Sequence, residues 1–181
     1  MNPNKKEITL WLMVLTLVVG LCSQGRAQVN AYAFAQNIPA GGYVALSSPT
    51  TAFAAPWDDN APVQVSLGFN FSYDGVVFTQ CYISPNGFIT FGSTPPTTNN
   101  YTPISTATVY NPGNTGGAVA AMGGNFVSNG SPIEYELVGT APNREFVIQW
   151  TNTNRKSGTV VLPGDFDFQI QLFETTNAIA F

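Results

Sequence analysis

The stretch from Val63 to Gly92, VQVSLGFNFSYDGVVFTQCYISPNGFITFG, constrains the fold more than any other part of the chain. Val65, Leu67, Phe69, Phe71 and Tyr73 alternate with Gln64, Ser66, Gly68, Asn70 and Ser72, the period of a strand with one buried face. Asp74-Gly75 then interrupts the pattern with two residues that tolerate the positive φ of a type I′ hairpin turn. Asn86-Gly87 repeats the device. With two-residue loops at both turns, Tyr73 faces Val76, Phe71 faces Phe78, Leu67 faces Tyr82, and Tyr82 faces Phe91. Three antiparallel strands result, with most of the aromatic side chains on one face.

The beginning of the chain reads differently. Asn2 to Lys6 is polar and carries Lys5 and Lys6, Ile8 to Leu21 is apolar, and Gly25-Arg26-Ala27 supplies small residues at a cleavage spacing. This is the pattern of a cleavable signal peptide over residues 1–27. The apolar run is shorter than the roughly 20 residues a membrane span needs. Leu21 stands before Cys22, where a lipid-acceptor cysteine wants a small residue. Removing 27 of 181 residues leaves 154, enough for one core. The expectation is a single domain over 28–181, secreted or at the cell surface, with no membrane insertion after cleavage. Because Phe181 ends the sequence inside a strand pattern, the domain is expected to be the front of a longer multidomain protein.

Charge and chemistry narrow the function. The mature region keeps 3 basic and 9 acidic residues, a net charge of −6, which argues against nucleic acid and anionic membranes as partners. It contains no histidine and one cysteine, Cys81, so Ser-His, Cys-His and zinc sites are excluded by inventory, and Cys81 is expected as a small buried hydrophobe.

Elsewhere the pattern is again that of strands. Tyr32, Phe34, Tyr43, Val44 and Leu46 suggest edge strands around Gly41-Gly42, and Ser48 to Pro62 reads as a loop. Ser93 to Gly117 reads as a long crossing loop, followed by a short buried strand at Ala118 to Met122. Ile133, Tyr135 and Leu137 form a second hairpin with Phe146, Ile148 and Trp150, turning at Ala141-Pro142-Asn143-Arg144. Asn152 to Gly158 reads as a polar loop. Phe166, Phe168, Ile170 and Leu172 alternate with Asp165, Asp167, Gln169 and Gln171 before a turn at Thr175-Thr176-Asn177 into Ile179 and Ala180. With no amphipathic helix beyond the leader, the fold class is all-β: an antiparallel, jelly-roll-like β-sandwich built from hairpins.

Three sets of residues are candidates for a site. Asp58, Asp59 and Asn60 offer oxygen ligands in a loop, which suits a structural calcium, against a turn capped by their own side chains. Trp57, Tyr101 and Tyr110 lie in polar loops, where their rings would either stack on a ligand or close the end of the sandwich. The pairs Asp165 with Asp167 and Glu134 with Glu136 sit about 7 Å apart along a strand. That spacing would serve a glycosidase, but alternation with core residues makes them a solvated outer face. Trp150 shares parity with Phe146 and Ile148 and belongs to the core.

LGFNFSYDGVVFTQCYISPNGFITFG, IEYELVGTAPNREFVIQW and DFDFQIQLFETTNAIAF together resemble the N-terminal β-sandwich module of large secreted or cell-surface Bacteroidota proteins of the type IX secretion class. The most specific pieces are Ser84-Pro85-Asn86-Gly87-Phe88 and Ala141-Pro142-Asn143-Arg144. A fainter resemblance to nidogen-type extracellular domains rests on Asn86-Gly87-Phe88. The first resemblance implies an exported, cell-surface or secreted multidomain protein and supplies no catalytic residues. Export, the all-β architecture and the lack of catalytic constellations then lead to the expectation of a non-catalytic extracellular module for adhesion or for presenting neighbouring domains of the same chain, with a glycan or a host or matrix protein as partner. The alternative is a carbohydrate-binding accessory domain of a secreted hydrolase.

Overall fold

Ten strands and no helix form in the described residues, 43–104 and 117–181 of a computed structural model, which lie within a unit spanning Phe34–Phe181. The leader, the strands expected around Tyr32 and Phe34, and Tyr110 fall outside the described residues. In chain order the strands are β1 (Thr50–Phe53), β2 (Val63–Tyr73), β3 (Val76–Ser84), β4 (Phe88–Thr90), β5 (Ala118–Ala120), β6 (Phe126–Ser128), β7 (Ile133–Val138), β8 (Glu145–Ser157), β9 (Val160–Phe173) and β10 (Ile179–Ala180). All pairings are antiparallel. One sheet runs β1-β7-β8-β9-β10 with β6 also on β8, and the other runs β2-β3-β4-β5.

The two sheets enclose one core. Val65, Leu67, Phe69 and Phe71 from β2 meet Phe146, Ile148 and Trp150 from β8 and Ile170 and Leu172 from β9, all buried. Phe91 stacks on Phe71 and Phe78 at centroid distances of 5.4 and 5.3 Å, and Trp150 stacks on Phe168 at 5.1 Å. Cys81 is buried and unpaired, and burial pushes its thiol well above the usual range, which removes it as a nucleophile.

The Asp74-Gly75 turn forms as expected, with Tyr73 opposite Val76, Phe71 opposite Phe78, and φ of 49° and 74° at the two turn residues. Further along the hairpin the register departs from the expected one. Between the pairs Ser66–Gln80 and Phe71–Phe78, four residues of β2 stand against one of β3, so Gln64 rather than Leu67 faces Tyr82. Gly68, at φ 77°, lies in this bulge, and the inward alternation of β2 survives it.

The second turn also differs. Ser84 pairs with Phe88, so the loop has three residues, Pro85-Asn86-Gly87, and Tyr82 faces Thr90 rather than Phe91. Proline is the reason. A two-residue loop would place Pro85 in the closing pair, where it has no N–H to give, whereas its fixed φ suits the first central position of a type I turn. Gly87 then takes the left-handed position at φ 79°.

Two further expectations are corrected, and one strand appears that the pattern did not announce. Thr50–Phe53 is a strand, paired with β7, inside what reads as a loop. Residues 152–157 are not a polar loop: β8 continues to Ser157, which faces Val160 across the turn at Gly158. The far part of β8 pairs with β6, Phe126 opposite Arg155 and Ser128 opposite Thr153, a strand too short to alternate visibly.

The outer face of β7–β9 is also less open than its alternation implies. Val44 donates its N–H to Gln169 Oε1 at 2.9 Å and accepts from Gln169 Nε2 at 2.7 Å. Ser47 N–H and Ser48 N–H donate to Glu136 Oε2 at 2.7 and 3.0 Å. Residues 44–48 thus lie across this face, and Val147, Gln169 and Gln171 are buried beneath or beside them. One carboxylate of each pair is engaged as an acceptor: Asp167 receives Asn152 N–H at 2.6 Å, and the Ser48 and Ser47 donors hold Glu136 below the usual carboxylate range.

Candidate functional site

Of the residues singled out in the loops, Trp57, Asp58, Asp59, Asn60 and Tyr101 come together beside the far part of β8. Trp57 follows β1 by four residues and turns inward: it is 2 % exposed, and its Nε1–H donates to Ser131 O at 2.9 Å. Its own carbonyl accepts Ser128 N–H at 2.9 Å. Of the two readings of Trp57, a ring stacked on a ligand or one closing the sandwich, its burial fits the second: it is a core residue that pins the β1–β2 loop to the β6–β7 turn. Its indole faces protein on all sides.

Directly after it, Asp58 Oδ2 receives the Lys156 ammonium at 2.5 Å, while Asn60 Oδ1 accepts Asp58 N–H at 3.0 Å. The hydrogen bond to Asp58 holds the Lys156 ammonium above its ordinary pKa. Tyr101, from the loop after β4, donates its phenol to Asp59 at 3.1 and 3.0 Å from the two carboxylate oxygens. Burial and that carboxylate push the phenol up. The Asx turn at Asp58–Asn60 is present, and the two carboxylates are each matched to a donor. A calcium ion here would have to displace the Lys156 ammonium from Asp58, and the described residues contain no group of three acidic, cysteine or histidine side chains placed to hold a metal. Lys156 carries no sequence motif. The available signal is that a lysine in a chain so short of cations and richer in acids finds an acidic partner.

A second polar centre forms around Asn86, which is fully buried. Its Nδ2 donates to Thr98 O at 3.0 Å, its Oδ1 accepts Phe126 N–H at 3.2 Å, and its carbonyl accepts Gly124 N–H at 3.2 Å. One side chain thus ties the β3–β4 turn to the crossing loop and to β6. A Cβ on Gly87 would stand 2.2 Å from Met122 O, so the next residue must be glycine on space as well as on φ.

The third centre is Arg144, which lies over the Phe69 ring at 5.7 Å and pairs with Glu174. It joins the β7–β8 turn to the end of β9 and touches β2 of the opposite sheet. The two motifs that single out this sequence, SPNGF and APNR, are both knots between chain segments rather than catalytic groups.

Among the described residues, no helix is long and apolar enough to cross a membrane. Residues 31–181 match a protein family described as NIDO related. No curated protein matches the chain, and no solved structure does.

Proposed function

The chain belongs to the NIDO-related family, and on that premise we propose that it serves as a non-catalytic extracellular module, for adhesion or for presenting neighbouring domains. The observation that carries this reading is where the reactive side chains are spent. Asp58 is held by Lys156, Asp59 by Tyr101, Glu136 by Ser47 and Ser48, and Glu174 by Arg144. These four acids are each matched to a structural donor, which commits them to holding the fold rather than to the acid and base roles of glycoside hydrolysis. The lysine-rich, apolar and small-residue pattern of residues 1–27 supports export by a cleaved signal peptide. The hairpin motifs support a setting in large secreted proteins of the type IX class in Bacteroidota. Presentation of other domains is the part of the reading that concerns the rest of such a protein.

The purified protein, applied to glycan arrays and immobilised matrix proteins, is expected to bind without turning over substrate. Hydrolysis of an aryl glycoside that disappears in Asp165→Asn or Glu134→Gln would overturn the reading. A carbohydrate-binding role within a secreted hydrolase is the second reading, favoured by the lack of charge on the four-stranded sheet.

A further inference from the structure

Charge is divided unequally between the two sheets. Every Asp, Glu, Lys and Arg that lies within a strand is on β7, β8 or β9, and β2 to β5 carry none. The outward face of β2 and β3 is nonetheless polar. Gln64, Ser66, Asn70 and Gln80 are exposed on it, with Tyr82 half-buried among them. Register places Gln64 opposite Tyr82 and Ser66 opposite Gln80, so these four side chains form one patch, and the exposed Asn70 lies further along β2 in the bulge. On the β4 side the patch ends at the crossing loop, where the Tyr82 hydroxyl donates to Ser93 O at 3.3 Å. On its other side β2 is the last strand of its sheet among the described residues.

We propose that this uncharged face binds a neutral polysaccharide. The inference rests on the reading of the chain as a binding module and gives it a surface and a ligand class. Amides and hydroxyls both donate and accept hydrogen bonds, as sugar hydroxyls do, so neither partner is left with unmatched groups. Tyr82 adds an aromatic edge for the apolar side of a sugar ring. Charge points the same way. An acidic chain repels anionic polymers, and a face without lysine or arginine has nothing to offer phosphate, sulfate or uronate, whereas a neutral polymer meets no repulsion. A protein partner fits less well, because protein interfaces centre on well-packed apolar, Trp, Tyr or Arg anchors, and this face offers only the half-buried Tyr82 and, at its far end, Val77.

The test is a pull-down of the secreted protein on insoluble cellulose, mannan and starch, compared with the acidic polymers alginate and pectate. Binding to at least one neutral polymer is expected, unchanged as salt is raised. The triple variant Gln64→Ala, Asn70→Ala, Gln80→Ala should weaken that binding about tenfold or more, since several hydrogen bonds are lost together. Asp165→Asn with Asp167→Asn, on the other sheet, should leave it unchanged. Melting temperatures within a few degrees of the parent show that the variants fold. Full retention by the triple variant overturns the face while leaving the module reading in place. Binding confined to acidic polymers or abolished by salt also overturns it. Failure to bind any polysaccharide overturns it too, and if matrix proteins are likewise ignored the module reading fails with it.

Discussion

Arg144 and Glu174 hold each other through main chain and side chain at once. Arg144 Nε donates to Glu174 Oε2 at 2.8 Å and Nη2 to Oε1 at 2.5 Å, Arg144 N–H donates to Oε2 at 3.1 Å, and Glu174 N–H returns a bond to Arg144 O at 2.9 Å. The guanidinium fork is matched to the carboxylate, a geometry lysine cannot copy. Arg144→Lys is therefore expected to lower the unfolding midpoint nearly as far as Arg144→Ala, although the charge is kept. Urea titration of both variants checks this, and a lysine variant equal to the parent would reduce the pair to simple charge attraction.

Two acids near this corner should respond to pH in opposite directions. The Arg144 hydrogen bond holds Glu174 below the usual carboxylate range, so its contribution is present above the unfolded pKa and is lost as pH falls through the folded one. Burial raises Glu145, whose Oε1 is buried and accepts no hydrogen bond. Its charged form is the costly one, so it opposes folding at neutral pH and stops doing so as the medium acidifies. Glu145→Gln is expected to stabilise the protein at pH 7 by up to about 1 kcal/mol, with the gain shrinking toward pH 4. Thermal melts of parent and variant across that range decide it.

The two turn glycines should not be equal. Gly75 has a positive φ but open space around it, so Gly75→Ala should cost about 1 kcal/mol. At Gly87 the same methyl meets Met122 O, and Gly87→Ala should cost several-fold more or prevent folding. Expression level and urea midpoints compare them directly.

Asn86→Ala leaves buried partners unpaired on two segments and should cost about 3 kcal/mol or more. Because Thr98 is one of those partners, limited proteolysis should cut the 93–104 loop faster in the variant. Unchanged cleavage there would mean that Thr98 is held by something else.

Phe71 is fully buried against Phe91, and Phe71→Ala should cost about 3 to 5 kcal/mol. The neighbouring Ser72 gives only its N–H, to Asn177 Oδ1 at 2.7 Å, so Ser72→Ala should be almost silent. Denaturant unfolding of both variants tests which side of β2 is inward.

The parts of the fold visible in the sequence are those where one strand is long enough to alternate. β2 and β9 declare their inward apolar residues, and the 133–150 hairpin forms as expected, with Ile133 opposite Trp150 and Leu137 opposite Phe146, although Leu137 ends up exposed. β1 and β6 have four and three residues, too few for a period to emerge. Thr153, polar yet fully buried, hides the continuation of β8: its hydroxyl is satisfied by Phe166 O at 3.1 Å, a partner known only once β9 is in place. The choice between lid and ligand contact at Trp57 was closed to the sequence for the same reason, since its partner Ser131 is 74 residues away. Pro85 was the one local clue to the three-residue turn.

Val44 is gripped by Gln169, and Ala180 pairs with Gln171, so the segment entering the unit and the strand near its last described residue are held two residues apart on β9. Tension carried along the chain from one flank to the other would pass across that short length of a single strand. The two anchor points on β9 stand roughly 7 Å apart, the rise of two strand residues, so such a load would be met first by the hydrogen bonds at Gln169 and Gln171.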